Sequence, residues 1–167
     1  VQGSHALRRS LEAVGVRFEI SGVEDADWTG GPYVFAANHM SALETQILPS
    51  ILSSVAPCTF VVKSSLLRYP VFGPVLKGFD PIVVDRVDPR ADLRQVLSEG
   101  GKRLAAGMSV IVFPQAHRTV AFDRKGFNTI GVRLARAAGV PIVPIALQTS
   151  AWSEGRWLQD IGWIVPK

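Results

Sequence analysis

His39 and Glu44 are the two residues of this chain whose types and spacing best suit acid–base chemistry. Four residues separate them in the stretch 38–44, which reads Asn-His-Met-Ser-Ala-Leu-Glu. A carboxylate on one ring nitrogen of a histidine fixes the tautomer and stabilises the imidazolium that forms when the ring takes up a proton. Such a pair could act as a general base. The alternative is an ordinary structural contact at the surface or in the core.

The spacing restricts the local structure that could bring the two side chains together. On a regular helix, side chains five positions apart point roughly 140° apart. His39 and Glu44 therefore meet only if His39 lies in the turn before a helix and Glu44 lies in its first turns. The apolar run Tyr33–Ala37 just ahead of them predicts a buried strand. Open α/β sheets place their sites at the ends of such strands.

Charged and polar side chains also follow three later segments that are predicted to be buried strands. They are Lys63, Asp85-Arg86 and the loop 115–118, which reads Gln-Ala-His-Arg. Each of them alone has an ordinary interpretation as a solvated strand end. If these strand ends share one edge, they surround the histidine with cations. That arrangement suits the deprotonation of a hydroxyl on a phosphate-bearing molecule.

Predicted strands and helices alternate along the chain, which favours an α/β fold with a sheet between helices. The hydrophobic pattern predicts strands at 14–20, 33–37, 59–63, 81–86, 109–113 and 140–147, the last at an edge or bulged because of its prolines. It predicts helices at 6–13, from the 38–44 corner to near 54, at 89–106 and at 126–138, with short irregular helices in 66–78. The Gly100-Gly101 pair is expected to weaken the third of these helices. The residues of helix 126–138 expected to face the core are Ile130, Val132, Leu134 and Ala135.

The composition is that of a folded protein, and we expect residues 1–167 to form one domain. Hydrophobic residues make up 47% of the chain and charged residues 19%, which excludes a disordered chain. The net charge of +4 and the pI near 9.6 favour phosphate-bearing substrates, an acidic carrier protein or an anionic membrane surface as partners. Because the Lys and Arg residues are scattered, nucleic acid is not an expected partner.

Several other kinds of site are disfavoured by the sequence. Cys58 is the one cysteine and the three histidines are far apart, so neither a disulfide nor a metal site is expected. The dinucleotide-binding, P-loop and nucleophile-elbow motifs are absent, and the missing elbow disfavours a serine hydrolase. Pro49 and Pro57 interrupt the longest charge-free segment, 45–62, which therefore does not predict a membrane span. The polar start predicts no signal peptide, and Val1 together with the apolar run 161–165 leads us to expect incomplete ends, with upstream spans or a C-terminal strand missing.

The order of these motifs resembles the 1-acylglycerol-3-phosphate (lysophospholipid) acyltransferases. The first block of that family is Asn-His, four residues and then Asp, and here it is Asn38-His39 with Glu44 in place of the Asp. The second block, an apolar strand ending in Asp-Arg, matches 82–86. The third, Phe-Pro-Glu-Gly-Thr-Arg-Ser, becomes Phe-Pro-Gln-Ala-His-Arg-Thr at 113–119, and the fourth, of the type Val-Pro-Ile-Val-Pro-Val-Ala, is nearly verbatim at 140–147. The resemblance covers roughly residues 8 to 150.

The resemblance implies an α/β fold with a mixed, largely parallel central sheet flanked by helices, and an O-acyltransferase. His39 would be the general base and Glu44 would orient it. The residues implied to bind the substrate phosphate are Arg118, Arg86 and Lys63, and those of the substrate loop are Asn38, Gln115 and His117. The acceptor would be a lysophospholipid, and acyl-CoA or acyl-acyl-carrier protein would be the co-substrate without a further cofactor. Backbone N–H groups near His39 are candidate oxyanion donors, and segments 47–55 and 66–78 could line an acyl channel.

Departures from the family blocks leave alternatives open. Glu44 has one more methylene than Asp, Gln115 lacks the carboxylate of the family Glu, and Ala116 replaces a Gly. The acceptor could therefore be a different lysolipid or one with an amine-bearing head group. A non-catalytic module that binds acyl lipids or carrier protein is another interpretation, and a thioesterase is a third. The substrate and the basic amphipathic start imply a peripheral location at the cytoplasmic face of a membrane.

Overall fold

The sheet at the centre of the fold brings the predicted strand ends to one edge. The computed structural model describes residues 2–41, 43–70, 72–115, 118 and 124–149. In this part of the chain, five strands form one sheet: β1 (Val34–Ala37), β2 (Cys58–Lys63), β3 (Ile82–Val84), β4 (Ser109–Val112) and β5 (Ile142–Ile145). Their order is β3-β2-β4-β1-β5, and all four neighbouring pairs are parallel. The predicted α/β class with a largely parallel sheet is confirmed, and β5 lies at an edge as its prolines indicated.

Helices cover both faces of the sheet because successive strand residues point to opposite sides. The helices are α1 (Gln2–Ala13), α2 (Glu44–Leu52), α3 (Phe72–Lys77), α4 (Pro89–Ala105) and α5 (Ile130–Ala138), with 3-10 turns at Trp28–Gly30, Ser64–Arg68 and Arg124–Gly126. Phe35 packs with residues of α2 and α3 on one face, whereas its neighbour Val34 packs with residues of α4 and α5 on the other. Helix α1 packs on α2 through a small cluster around Leu11 and Ile47.

The ends of the two helices on the second face follow local sequence signals. Asp88 precedes α4, and its carboxylate accepts a hydrogen bond from the Arg90 N–H at 2.8 Å. Gly139 ends α5 in the left-handed conformation at φ 66. Helix α4 runs without interruption through the glycine pair, because Gly100 is buried against Leu134 of α5.

Two expectations from the hydrophobic pattern are wrong. Residues 14–20 form no strand: Gly15 turns the chain at φ 93, and the Val16 N–H donates to the Leu11 carbonyl, so that the Val16 side chain is buried against α1 and α2. Val132 does not face the core and is 57% exposed. Gly131 occupies the inward position, where an added Cβ would lie 3.0 Å from Val112. The apolar run 161–165 lies outside the described residues.

Candidate active site

The carboxyl ends of the five strands lie at one edge of the sheet because the strands are parallel. Residues 38–39 follow β1, Lys63 ends β2, 85–86 follow β3, 113–118 follow β4 and 147–149 follow β5. In strand order, β1 lies between β4 and β5. The turn that carries His39 therefore has the loops after β4 and β5 as its direct neighbours.

His39 and Glu44 contact each other in the geometry that their spacing demands. His39 lies in the turn after β1, and Glu44 is the first residue of α2. The distance from His39 Nδ1 to Glu44 Oε2 is 2.9 Å. A carboxylate only accepts hydrogen bonds, so Nδ1 donates, and a neutral ring then keeps its lone pair on Nε2. This is the tautomer that a histidine base requires.

The Glu44 carboxylate is buried, and both of its oxygens are hydrogen-bonded. Its side chain is 4% exposed, against 14% for His39. Oε2 also accepts the Met40 N–H at 2.8 Å, and Oε1 accepts the hydroxyl of Thr149 at 2.6 Å. The N-terminal end of α2 favours a negative charge at this position as well. These contacts offset the cost of burying the carboxylate and hold it in one orientation.

The loop after β4 holds His39 from the other side. The His39 N–H donates to Gln115 Oε1 at 2.5 Å, and Gln115 is 3% exposed. The Phe113 ring stacks on the imidazole with the ring centres 4.5 Å apart and 28° between the planes. Backbone and ring of the histidine are therefore both fixed.

Asn38 joins the histidine turn to the end of β5. Its Nδ2 donates to the Leu147 carbonyl at 2.9 Å, and its Oδ1 accepts the Leu147 N–H at 2.6 Å. Both polar atoms of the amide are thus used within the protein. Asn38 is 9% exposed, so its role in the structure is to hold the strand ends together.

The predicted cations are distributed along the edge at different distances from His39. Arg118 follows β4, the direct neighbour of β1, and is partly buried. Lys63 and Arg86 are exposed at the ends of β2 and β3. With strands roughly 4.8 Å apart, they are displaced from β1 by two and three strand spacings, or about 10 and 14 Å. Arg86 thus follows the strand that lies farthest from β1 among the three, and His117 lies outside the described residues.

Two backbone groups that were candidate oxyanion donors are already engaged. The His39 N–H donates to Gln115 and the Met40 N–H donates to Glu44. The hydroxyl of Ser41 in the same turn is buried, and in the described part of the chain it is the one buried side-chain oxygen or nitrogen without a hydrogen-bond partner.

A cavity of about 440 Å³ lies next to Glu44, between β5, α2 and the segment 16–23. Its lining includes the apolar side chains of Ile47 and Ile51 together with Glu44 and Thr149. Of the expected channel segment 47–55, Ile47, Leu48, Ile51 and Leu52 line this cavity, whereas no described residue of 66–78 does.

In the described ranges, no three His, Cys, Asp or Glu side chains are grouped as metal ligands. Among the helices described, none has the length and apolar character needed to cross a membrane.

Comparison with known proteins identifies the family of the chain. The sequence model of the family described as Acyltransferase matches residues 3–148. The chain belongs to the acyltransferase family. It is 32% identical to the 1-acyl-sn-glycerol-3-phosphate acyltransferase of Pseudomonas aeruginosa over 151 residues, which are 90% of this chain and 57% of the relative. It is 33% identical to the lyso-ornithine lipid O-acyltransferase of Rhizobium meliloti over 111 residues, which are 66% of this chain and 35% of the relative.

A solved structure with the same fold belongs to the 1-acyl-sn-glycerophosphate acyltransferase PlsC of Thermotoga maritima. The TM-score is 0.59 at 23% identity, and the match covers 86% of this chain and 56% of that one. At this identity the likeness supports the fold. This chain spans roughly a third to three fifths of the length of the curated relatives that it matches.

Sequence reasoning missed three parts of the site. It did not identify Thr149 or Phe113, and it assigned Gln115 to a substrate loop without its contact to His39. Thr149 and Glu44 are 105 positions apart, and Gln115 and His39 are 76 positions apart. The available signal was positional: each of the three residues follows a strand that ends at the same edge.

Proposed function

We propose that this chain is the catalytic domain of an O-acyltransferase that moves a fatty acyl group from a thioester to a hydroxyl of a lysophospholipid such as 1-acylglycerol-3-phosphate. The donor is acyl-CoA or acyl-acyl-carrier protein. The observation that carries the proposal is the hydrogen bond of 2.9 Å between His39 Nδ1 and the buried carboxylate of Glu44. It leaves Nε2 as a base at the edge of the sheet.

The reaction needs one base and no covalent enzyme intermediate. His39 Nε2 removes the proton from the acceptor hydroxyl while the oxygen attacks the thioester carbonyl. The tetrahedral intermediate collapses, the C–S bond breaks, and the imidazolium returns the proton to the leaving thiolate. Glu44 stabilises the imidazolium in between. The products are an ester and a free thiol.

The acceptor phosphate binds Arg118, the cation that follows the strand next to β1. A guanidinium can hold a phosphate with two parallel hydrogen bonds, which orients the hydroxyl toward the base. Lys63 and Arg86 follow strands farther along the edge and would be additional contacts for the phosphate. The apolar part of the 440 Å³ cavity would take an acyl chain.

A different acceptor is the second candidate, and two observations favour it. Gln115 places a neutral amide where the family block has a carboxylate, and one relative is named a lyso-ornithine lipid O-acyltransferase. An acceptor with an amine-bearing head group would use the same base and a different head-group contact.

The deciding experiment is acyl transfer from acyl-CoA and acyl-acyl-carrier protein to a panel of lysolipids, read by mass spectrometry. Wild type is compared with His39→Ala. We expect the wild type to form product and His39→Ala to form none. The acceptor that gives the most product identifies the head group that the enzyme uses. Hydrolysis of the donor without any acceptor would indicate a thioesterase. Lipid binding without turnover in a folded wild type would indicate a binding module.

The proposed location is peripheral, at the cytoplasmic face of a membrane. The net charge of +4 supports attraction to anionic lipids. Sedimentation with anionic vesicles should therefore decrease as salt increases, since salt screens exposed charges. Binding that is absent or insensitive to salt would contradict the electrostatic part of this proposal.

A further inference from the structure

We propose that Thr149 is a positioning residue for the histidine base: its hydroxyl holds the Glu44 carboxylate in the orientation that His39 requires. The catalytic part of this inference rests on the proposed function. The observation behind it is the hydrogen bond of 2.6 Å that Thr149 Oγ1 donates to Glu44 Oε1.

The two oxygens of Glu44 are held by different parts of the chain. Oε2 is bound by His39 Nδ1 at 2.9 Å and by the Met40 N–H at 2.8 Å, both from the turn just before α2. Oε1 is bound by Thr149, which follows β5. The terminal torsion of a glutamate is broad, so contacts to one oxygen alone leave the carboxylate free to rotate about it. The bond to the second oxygen removes this freedom.

Thr149 can act as a fixed point because its own backbone is anchored. Two residues earlier, Leu147 exchanges two hydrogen bonds with the Asn38 side chain, at 2.6 and 2.9 Å. Asn38 directly precedes His39, and β5 pairs with β1 through Ala37 and Ile145. The threonine is therefore held in register with the histidine turn, independently of α2.

Burial makes this contact matter for the base. Glu44 is 4% exposed, so an oxygen that loses its donor is largely shielded from bulk water. A carboxylate that rotates to find another donor also moves the oxygen bonded to His39 Nδ1. The imidazole then spends less time with Nε2 directed at the substrate.

The test compares Thr149→Val with Thr149→Ser in the acyl-transfer assay. Valine has the shape of threonine without the hydroxyl, whereas serine keeps the hydroxyl. We expect Thr149→Val to lower kcat by about tenfold or more and to leave KM within about twofold of the wild type. A general base contributes about 10²- to 10⁴-fold to the rate, and misorientation of His39 would remove part of this contribution. Thr149→Ser should retain most of the wild-type kcat. A wild-type kcat in Thr149→Val, or an equal loss in Thr149→Ser, would overturn the proposal.

A matched control separates positioning from general stability. Thr59 is buried near the start of β2, and its hydroxyl donates a long-range hydrogen bond to the Asp80 carbonyl at 2.9 Å. Thr59→Val should lower the melting temperature and leave kcat unchanged. If Thr59→Val lowers kcat as much as Thr149→Val at a similar loss of stability, Thr149 has only a structural role.

A readout without turnover keeps this inference separate from the proposed function. In NMR spectra, the Nδ1 proton of His39 should exchange slowly with water in the wild type, because it is held by a buried carboxylate. We expect faster exchange in Thr149→Val and wild-type behaviour in Thr59→Val. Full activity of His39→Ala would contradict the proposed function, whereas unchanged exchange in Thr149→Val would contradict the role of Thr149.

Discussion

Replacing Glu44 with glutamine tests whether the charge of this side chain, and not only its shape, serves the base. The glutamine oxygen can accept the two hydrogen bonds that Glu44 Oε2 receives from His39 and Met40, at 2.9 and 2.8 Å. Its amide nitrogen then faces Thr149, whose hydroxyl can turn and accept a hydrogen bond in place of donating one. The substitution therefore preserves the hydrogen bonds and removes one negative charge.

The expected loss of kcat in Glu44→Gln follows from the distance between the two charged groups. When His39 takes up a proton, its ring becomes a cation whose Nδ1 lies 2.9 Å from a carboxylate oxygen. Unit charges about 4 Å apart attract by about 4 kcal/mol at an effective dielectric constant of about 20. Since about 1.4 kcal/mol of barrier corresponds to a tenfold change in rate, loss of this attraction lowers kcat by roughly 10²- to 10³-fold.

The assay follows release of the donor thiol at saturating acyl-CoA and lysolipid, with wild type, Glu44→Gln and His39→Ala side by side. Thermal unfolding of each variant provides the control for folding. We expect Glu44→Gln to melt close to the wild type and to lose nearly as much kcat as His39→Ala. A folded Glu44→Gln whose kcat is within about threefold of the wild type would refute the electrostatic role of the carboxylate.

Three further predictions concern Gln115, the Gly100-Gly101 pair and Cys58. Gln115→Glu should lower stability and move the acidic limb of the pH–kcat profile to higher pH, because a second buried carboxylate favours the protonated imidazole; an unchanged profile would contradict this. In α4, Gly100→Ala should destabilise the protein by about 1–2 kcal/mol in urea unfolding, since the new Cβ would lie 2.9 Å from Leu134. At the adjacent Gly101 an added Cβ would have no atom within 4 Å, so Gly101→Ala should stabilise the protein by up to about 1 kcal/mol. Equal effects of the two substitutions would show that packing against Leu134 does not determine the change in stability. Burial raises the pKa of the Cys58 thiol, so a thiol reagent should modify it slowly in the native protein and quickly in urea.

The success of the sequence-based fold prediction depended on burial. Strands β2 and β4 are apolar runs that are buried along most of their length, and such runs are found from hydrophobicity and length alone. Apolar and polar residues alternate in the run 14–20 as they do in a strand. A strand also requires a neighbouring strand to pair with, and the alternation does not show whether one is present. Gly15 and the contact of Val16 with α1 decide its conformation.

The site was predictable to the extent that it is local. Because His39 and Glu44 are only five positions apart, helix geometry alone predicted where each had to lie. The contact of Thr149 depends on β5 being the neighbour of β1, and strand order is not encoded in any short motif. For the same reason, the sequence grouped Arg86 with His39, although three strand spacings separate their strands in the structure.

The position of β1 between β4 and β5 has a consequence during synthesis on the ribosome. Its two neighbours end at Val112 and Ile145, so the β1 segment emerges long before either of them. At typical translation rates of about 5–20 residues per second, the interval until β5 has been made is roughly 5–20 s. During this time the nascent chain exposes an apolar segment without its sheet partners, which favours chaperone binding. The contacts of Asn38 and Glu44 with residues 147–149 can form only after these residues have been made, so the histidine becomes fully held only in a chain synthesised through residue 149.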